Sequence, residues 1–233
     1  MKNSKFKLPI TFDEAALIED LSTCRRLQWG GHFNQKDYVG TWTSIALRSA
    51  SGREDDIYSH PTVQAYVDTP LLAQCTYFRQ VCDWFQCEKE SIRLLSLAPG
   101  SLIKEHTDLH TGYPYGLFRL HIPIQTATAV QFRVAGVDLP MQAGECWYAN
   151  FHLPHSVQNA GPVERVHLVI DCRRNAWSDG LFKEAGYDFD EEKREAAYSQ
   201  DTKRRMIDEL SRMESDSARQ LVTQLQLELG ESA

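Results

Sequence analysis

The sequence lacks several features by which protein classes are commonly recognised. No two of its six cysteines form a CxxC pair; they stand apart, at positions 24, 75, 82, 87, 146 and 172. We therefore expect reduced thiols that mostly fill the core, as in a cytoplasmic protein. No HExxH motif is present, which disfavours a zinc hydrolase of that type.

Long apolar runs and clusters of positive charge are missing as well. No apolar stretch approaches the ~20 residues of a membrane-spanning helix. The lysines at positions 2, 5 and 7 are not followed by the apolar segment of a signal peptide. The net charge of −7 argues against a nucleic-acid surface, which needs clustered Lys and Arg. We expect neither a membrane nor a nucleic acid as partner.

The chain does contain enough apolar sequence for a sizeable core, since 42% of its 233 residues are hydrophobic. We predict a single domain over 1–233. Within it, the patterns indicate a region of helix and strand over 1–90, a β-rich core over 91–173 and a helical region over 174–233.

Before residue 90, two helices and one strand are predicted. Thr11-Phe12-Asp13-Glu14 has the pattern of a capping box, and the apolar spacing after it predicts a helix to about Arg26. Residues 42–47 alternate as a strand, and 49–60 form a polar, mobile loop. Thr69-Pro70 opens a second helix with proline in its first position. The apolar stripe of that helix consists of Leu71, Cys75, Phe78, Cys82 and Phe85.

From Ile92 to Cys172 the apolar period changes to two, which predicts strands. The predicted strands are 91–97, 101–107, 117–124, 128–134, 146–150, 154–159 and 164–172. Short strands at even spacing predict a mainly β fold, a double-sheet jelly roll of the cupin kind with N-terminal and C-terminal helices. Asp216 can cap the last helix. This tail could pair two subunits into a homodimer, although packing on its own barrel is favoured.

The histidines concentrate in the same stretch, which holds six of the eight in the chain. His106 and Asp108 are two residues apart in a predicted strand, so both side chains point to one face. His155, at the start of another strand, is the best candidate for a third ligand, with His152 and His110 as substitutes. Two histidines and one carboxylate are typical of non-haem Fe(II) oxygenases. The alternative interpretation of each single histidine is a half-buried residue that is hydrogen-bonded to the backbone.

Arg165 strengthens this interpretation. It follows His155 by ten residues, and the turn 159–162 between their strands could place both side chains in one cavity. A buried guanidinium needs an anion, and it grips carboxylates in a bidentate fork.

With these residues in view, the chain resembles the Fe(II)- and 2-oxoglutarate-dependent dioxygenases. Within them it is most similar to the aspartyl/asparaginyl beta-hydroxylase-like family, in the branch of the bacterial free-proline hydroxylases. The matching residues are Pro99-Gly100 before the His-x-Asp pair, Arg119-Leu120-His121-Ile122-Pro123, Gly144-Glu145, His155-Ser156-Val157-x-Asn159 and Arg165-x-His167-Leu168-Val169-Ile170-Asp171.

The resemblance implies a double-stranded β-helix and three cofactors or cosubstrates: Fe(II), 2-oxoglutarate and O2. It implies that Fe(II) is held by His106, Asp108 and His155, and that the far carboxylate of 2-oxoglutarate pairs with Arg165.

Further roles around the cosubstrate follow. The resemblance implies that Arg119 and His121 lie beside the C1 end of 2-oxoglutarate; otherwise they would be an exposed Arg and a core His. His167 shares a strand face with Arg165, so we expect it in the cavity near the cosubstrate.

The implied reaction hydroxylates a small-molecule substrate, an amino acid, and releases succinate and CO2. A free proline-like substrate is favoured, because Asp108 stands where the membrane-anchored aspartyl hydroxylases have Gly. The alternatives are an aspartyl/asparaginyl beta-hydroxylase acting on a free or peptide-borne residue, and a metal-binding cupin without oxygenase activity. Leu95 stands where animal-type relatives have a Ser that helps hold the far carboxylate, so that contact is absent or supplied elsewhere.

Several other residues are expected to shape the pocket. We expect His110 to meet substrate or solvent, and Trp147, Asn150 and the segment Tyr113-Pro114-Tyr115 to form walls. The charged loop 49–60 and the glycine-flanked segment 112–116 could act as lids over the reactive centre. The alternative is that both are ordinary surface loops; for 49–60 this alternative is at least as well supported, whereas for 112–116 the lid is favoured.

Overall fold

A computed structural model describes residues 2–32, 34–58, 65–213 and 215–230. The chain divides into two compact units, Met1–Tyr187 and Asp188–Ala233. In the first unit the elements are β1 (Lys5–Thr11), α1 (Glu14–Cys24), β2 (Gly30–Gly31), β3 (Tyr38–Val39), β4 (Trp42–Ser49), β5 (Val67–Asp68), α2 (Thr76–Trp84), β6 (Lys89–Leu97), β7 (Leu102–His106), β8 (Leu117–Gln125), β9 (Val130–Val134), β10 (Val137–Asp138), β11 (Glu145–Ala149), β12 (His155–Asn159), β13 (Arg165–Arg173) and α3 (Ala176–Glu184).

Within the described residues, the strands form two antiparallel sheets. The larger has the order β1-β11-β8-β13-β6-β4-β2, with β5 paired to β4, and the smaller has the order β10-β9-β12-β7-β3. The chain crosses repeatedly between the sheets, as in β12 to β13. This is the double-stranded β-helix, so the predicted mainly β jelly-roll fold is confirmed.

The centre of the larger sheet is buried on both faces. In β13 every residue from 165 to 172 is buried, which explains its nearly continuous apolar sequence. Side chains alternate across a strand, so Arg165 and Arg173 point to the space between the sheets, where both line a cavity. Val166 and Leu168, on the opposite face, are fully buried.

Between the two sheets lies an apolar cluster. Trp42 and Leu95 from the larger sheet meet Ile103, Phe132 and Val157 from the smaller one, and all five side chains are buried. Truncating an aromatic of this kind, such as Phe132, to alanine costs about 3–5 kcal/mol of stability. The same five side chains line the cavity between the sheets.

The N-terminal elements differ from prediction at their boundaries. The expected capping box is wrong: Thr11 ends β1, and Asp13 caps α1 by accepting a hydrogen bond from the Ala16 amide at 2.9 Å. The strand β1 was not predicted, although its sequence alternates lysine with apolar residues. The second helix begins at Thr76, after a short 3-10 turn over Leu72–Gln74, and not at Pro70 as predicted; its predicted apolar stripe is buried as expected.

The second unit consists of α4 (Phe189–Leu210) and α5 (Asp216–Leu229). An ion pair of 2.9 Å joins Lys203 on α4 to Glu228 on α5. The cap of α5 is Ser215, not Asp216 as predicted, because the Ser215 hydroxyl accepts from the Ala218 amide at 3.1 Å. Pairing of two subunits through these helices stays a prediction.

Across the part of the chain that the structure describes, every helix is too short or too polar to span a membrane.

Candidate functional site

A cavity of about 710 Å³ lies between the two sheets. Its wall brings together six of the predicted site residues: His106, Asp108, Arg119, His121, His155 and Arg165. Their side chains occupy two parts of the cavity. The metal end holds His106, Asp108, His155 and Arg119, and the inner end holds Arg165 and His121.

His106 and His155 are adjacent because of strand register. They are direct partners across β7 and β12, and their ring centroids are 4.2 Å apart. His106 Nδ1 lies 2.8 Å from the Lys104 carbonyl, and His155 Nδ1 lies 3.0 Å from the Leu153 carbonyl. A carbonyl can only accept, so both Nδ1 atoms carry a proton, and the Nε2 atoms are the ring nitrogens available to bind a metal.

Asp108 is placed by the backbone and not by the sheet. Strand β7 ends at His106, earlier than predicted, and the Asp108 amide then donates to the Phe151 carbonyl at 2.8 Å. This brings Asp108 Oδ1 to 3.7 Å from His106 Nε2. One donor atom from each of His106, Asp108 and His155 lies within 4.8 Å of the others.

The protonation states suit a metal ion. Burial lowers the pKa of His155 to about 4, so its imidazole is neutral at neutral pH. Burial alone would raise the pKa of Asp108, but Arg119, His155 and His106 together hold it below its ordinary value. Neutral imidazole and ionised carboxylate are the forms in which these side chains bind metals. Among the described residues, His152 and His110 stand outside this cluster.

The inner end of the cavity contains a buried cation, the guanidinium of Arg165. Arg165 is 1% exposed, and its guanidinium lies 5.2 Å from the ring centroid of Phe132. Its Nη2 donates to His167 Nδ1 at 2.8 Å, while its Nε has no hydrogen-bond partner. Burial lowers the pKa of Arg165 to about 9, which leaves it protonated at neutral pH.

No carboxylate among the described residues lies within ion-pair distance of Arg165, unlike Arg93 and Arg119. A buried charge without a counter-charge is costly, so an anionic ligand would stabilise this site.

Two buried histidines accompany Arg165. His121 lines the cavity as expected. His167 was also expected there, but it is not part of the cavity wall and contacts Arg165 instead. Their Nδ1 atoms are 3.2 Å apart. Because His167 Nδ1 accepts from Arg165, His121 Nδ1 must carry the proton. Leu95 lines the cavity with an apolar side chain, and the polar neighbour of the guanidinium is His167.

The mouth of the cavity agrees only partly with prediction. His110 and Tyr115 line it and are exposed, as expected. Tyr113 does not line it: the ring is fully buried and stacked on Phe182 with centroids 3.7 Å apart. The expected lid over 112–116 therefore reduces to Tyr115. Its neighbour His110 has a positive φ of 60°, a conformation rare for a residue other than glycine.

Other predicted wall residues are placed elsewhere. Trp147 and Asn150 are absent from the cavity wall. The Trp147 indole instead donates to Glu145 at 2.8 Å, and the Asn150 side chain accepts from the His152 amide at 3.1 Å. Trp147 lies opposite His121 across β11 and β8 and faces the same side, but the cavity does not extend to it, and Asn150 follows the end of β11.

Of the loop 49–60, positions 59 and 60 lie outside the described residues. Its charges pair with one another: Arg53 contacts Asp55 at 2.5 Å, and Ser51 donates to Asp56 at 2.7 Å. They do not line this cavity, which Tyr58 of the same loop does reach.

A buried polar group beside the metal end was not predicted from the sequence. Asp171 lies between Arg93 and Arg119 and is 1% exposed. The period of two carried the signal, because Asp171 shares a strand face with Arg165. His32 was missed as well; it lines the cavity and stacks on Trp42 at a centroid distance of 3.4 Å.

Fold and site define a double-stranded β-helix protein with a candidate His-Asp-His metal centre inside its barrel. The model of the family described as aspartyl/asparaginyl beta-hydroxylase matches residues 13–175, and the chain belongs to this family.

Two further comparisons describe its relatives. The chain is 27% identical over 178 residues to an L-proline cis-4-hydroxylase of Rhizobium meliloti (strain 1021), a match that covers 75% of this chain and 62% of that protein. A solved structure of an oxidoreductase of the 2OG-Fe(II) oxygenase family from Burkholderia pseudomallei superposes with a TM-score of 0.50. It shares 15% identity over 74% of this chain and 86% of that chain. The second likeness concerns the fold alone.

Proposed function

We propose that this protein is an Fe(II)- and 2-oxoglutarate-dependent dioxygenase that hydroxylates an amino acid, with a free proline-like compound as the favoured substrate. One observation carries the proposal. The Arg165 guanidinium, buried and without a carboxylate partner, lines the same cavity as His106, Asp108 and His155.

The residues present fit both groups. His106, Asp108 and His155 would hold Fe(II), since two imidazoles and a carboxylate with open positions suit that ion. Arg165 would bind the far carboxylate of 2-oxoglutarate, and its unpartnered Nε is a donor directed at no protein atom. When bound, iron and 2-oxoglutarate supply the oxidising chemistry, in which O2 converts 2-oxoglutarate to succinate and CO2 while a C–H bond is hydroxylated.

The protein itself positions the metal ligands, supplies charge and limits the access of water to the cavity. The Lys104 and Leu153 carbonyls keep the Nε2 atoms of the two histidines available as ligands. Arg119 holds one oxygen of Asp108. Phe132 and Phe151 line the cavity between its two ends, and their apolar rings limit the access of water there.

A small zwitterionic substrate suits the remaining wall. Near the mouth the cavity is lined by apolar Leu109 and Leu117 together with Tyr115, and by the ion pair of Glu90 with Arg173 at 2.6 Å. The proline hydroxylase relative supports a free amino acid as substrate.

The family description supports the alternative substrate, an aspartyl or asparaginyl residue that is free or carried on a peptide. A metal-binding cupin without oxygenase activity is disfavoured, because such a protein has no use for a buried anion site at Arg165.

The test is a succinate-release screen with Fe(II), 2-oxoglutarate and a panel of free amino acids and short peptides. We expect proline or a close analogue to stimulate succinate release above the rate without substrate, with a hydroxylated product of matching yield. Arg165→Ala should remove the stimulation. The matched control is Arg133→Ala, which deletes an exposed guanidinium paired with Asp138 and should leave the rate unchanged.

Stimulation by aspartyl or asparaginyl compounds alone would select the alternative substrate. Metal binding without succinate release under any condition would contradict the dioxygenase and favour the cupin.

A further inference from the structure

We propose that Asp171 is a positioning residue for the metal centre. It fixes the Arg119 guanidinium so that Arg119 occupies one oxygen of Asp108 and leaves the other oxygen to the metal ion. The inference rests on the proposed function only in requiring a metal at His106, Asp108 and His155, and it needs neither the cosubstrate nor the substrate.

The first observation is the number of donors around Asp171. It is the register partner of Arg119 across β13 and β8, and the two side chains form a fork: Arg119 Nε lies 2.6 Å from Oδ1, and Nη2 lies 3.2 Å from Oδ2. Arg93 Nη2 and the Ser91 hydroxyl, each at 2.8 Å, also donate to Oδ2. A carboxylate with four such donors is fixed in orientation.

The electrostatics agree with this geometry. Burial alone would raise the pKa of Asp171, but Arg119 and Arg93 lower it to about 2. Asp171 is therefore ionised throughout the neutral range and binds Arg119 by charge as well as by hydrogen bonds.

The second observation is the contact made by the third nitrogen of the Arg119 guanidinium. Nη1 donates to Asp108 Oδ2 at 2.5 Å, so Nε, Nη1 and Nη2 all contact carboxylates of the chain itself. The guanidinium is rigid and planar, so fixing Nε and Nη2 on Asp171 also fixes where Nη1 points. The expectation that Arg119 lies beside the C1 end of 2-oxoglutarate stays a prediction.

The consequence concerns the ligand. With Oδ2 of Asp108 bound to Arg119, Oδ1 is the oxygen that faces His106 Nε2, at 3.7 Å. A carboxylate held in this way offers a metal one atom and keeps further coordination positions open. Partners of this kind in the outer shell of a metal site typically change metal affinity by about 10–100-fold.

A purely structural role for Asp171 is the competing explanation, since the carboxylate also neutralises two buried arginines. The two explanations differ in metal binding. A structural role predicts lower stability with unchanged metal affinity once the protein is folded. The positioning role predicts weaker metal binding in the folded protein.

The experiment is a Co²⁺ titration of the metal-free protein without 2-oxoglutarate, followed by the visible ligand-field absorption. Asp171→Asn cannot accept from both Nε and Nη2, so we expect the Kd for Co²⁺ to rise about tenfold or more. The absorption should also change shape, since Asp108 loses its fixed orientation. The matched control is Ser91→Ala, which removes one donor from Oδ2 and leaves the Arg119 fork intact; its Kd should stay within about twofold, well below the effect expected for an outer-shell partner.

A second variant covers the case in which Asp171→Asn does not fold. Arg119→Lys keeps the positive charge but cannot reach Asp171 and Asp108 as a fork, so it should weaken Co²⁺ binding to a similar extent. The double variant should lose little more than either single one, because both changes break one chain of contacts.

The outcomes separate the two proposals. A parent protein that binds no Co²⁺ would overturn the metal site and with it the proposed function. A parent that binds Co²⁺ while folded Asp171→Asn or Arg119→Lys binds it equally well, with the same absorption, would overturn the positioning role alone.

Discussion

The two ends of the cavity differ in how their charges are balanced. At the metal end, Arg119 and Arg93 share the carboxylate of Asp171, and Arg119 reaches Asp108 as well. At the inner end, Arg165 contacts a neutral imidazole and an aromatic ring and has no carboxylate. Burial does not explain the difference, because Arg93 and Asp171 at the metal end form a pair although their side chains are only 6% and 1% exposed.

This difference in charge balance indicates which end of the cavity depends on a ligand for its stability. Opposite charges that are paired and hydrogen-bonded hold each other in place before anything binds. A lone buried cation is destabilising until an anion arrives, because its desolvation is not offset. The metal end is therefore organised in advance for a cation, and the inner end gains most of its electrostatic stabilisation from an anionic ligand.

The largest expected effect is at the metal end. His106→Ala and His155→Ala each remove one of three candidate ligands, so turnover should fall to background and Fe(II) binding should be lost while the fold survives. The measurements are anaerobic Fe(II) titration, succinate release and circular dichroism.

The control for this prediction is His152→Ala. Its ring contacts Tyr115 and accepts from the His110 amide, but it lies outside the ligand cluster. We expect Fe(II) binding close to that of the parent. Full activity in His155→Ala, with loss in His152→Ala, would show that the third ligand is assigned to the wrong histidine.

A smaller effect is expected at the inner end. Charge-assisted hydrogen bonds contribute on the order of 1.5–3 kcal/mol each, so Arg165→Ala should raise the 2-oxoglutarate concentration needed for half-maximal rate by more than about tenfold. Arg165→Lys should do so less, since it keeps the charge and loses the planar fork.

The comparison also predicts that the two ends act separately. Fe(II) affinity without 2-oxoglutarate should be the same in the Arg165 variants and in the parent. If both variants retained the parent's requirement for 2-oxoglutarate, the anion site would have to lie elsewhere.

How far the sequence predicts this cavity depends on the kind of residue. Period-two alternation and turn residues sufficed for the strands of the core, and the ligand trio could be proposed because histidine and aspartate bring metal chemistry in a short pattern. Arg165 was predictable as well, since a charged residue within an apolar strand requires a reason.

Residues whose role depends on the register between strands were harder to predict from the sequence. Asp171 pairs with Arg119 through the alignment of β13 with β8, which no local pattern specifies. Trp147 faces the same side as its register partner His121, but the cavity does not reach it, so the period of two could not settle its place. Tyr113 was misplaced because its segment turns inward and packs on α3, through Phe182.

The last and smallest effect tests whether Arg165 is the one cation at the inner end, within the described residues. If so, neighbouring His121 must stay neutral. Burial and the adjacent Arg165 hold the pKa of His121 well below its ordinary value. In the unfolded chain His121 takes up a proton near its ordinary pKa of about 6.5. Below that pH the unfolded state binds one proton more than the folded state, so the free energy of unfolding decreases as the pH falls, by about 1.4 kcal/mol per pH unit for this group.

His121→Phe removes this titration and keeps an aromatic ring between Phe132 and Phe151, whose centroids lie 5.3 and 5.0 Å from the imidazole. Urea unfolding of the metal-free protein between about pH 5 and about pH 6.5 should therefore show a mean pH slope that is shallower by about 1 kcal/mol per unit, since the unfolded imidazole is only half protonated at the upper end of this range. Tyr115→Phe, which alters an aromatic ring at the exposed mouth without removing an imidazole, is the control and should keep the parent's slope. An unchanged slope in His121→Phe would mean that His121 is charged in the folded protein. The inner end would then hold two cations, and the contrast between the two ends would rest on the number of buried charges and not on a single unpaired guanidinium.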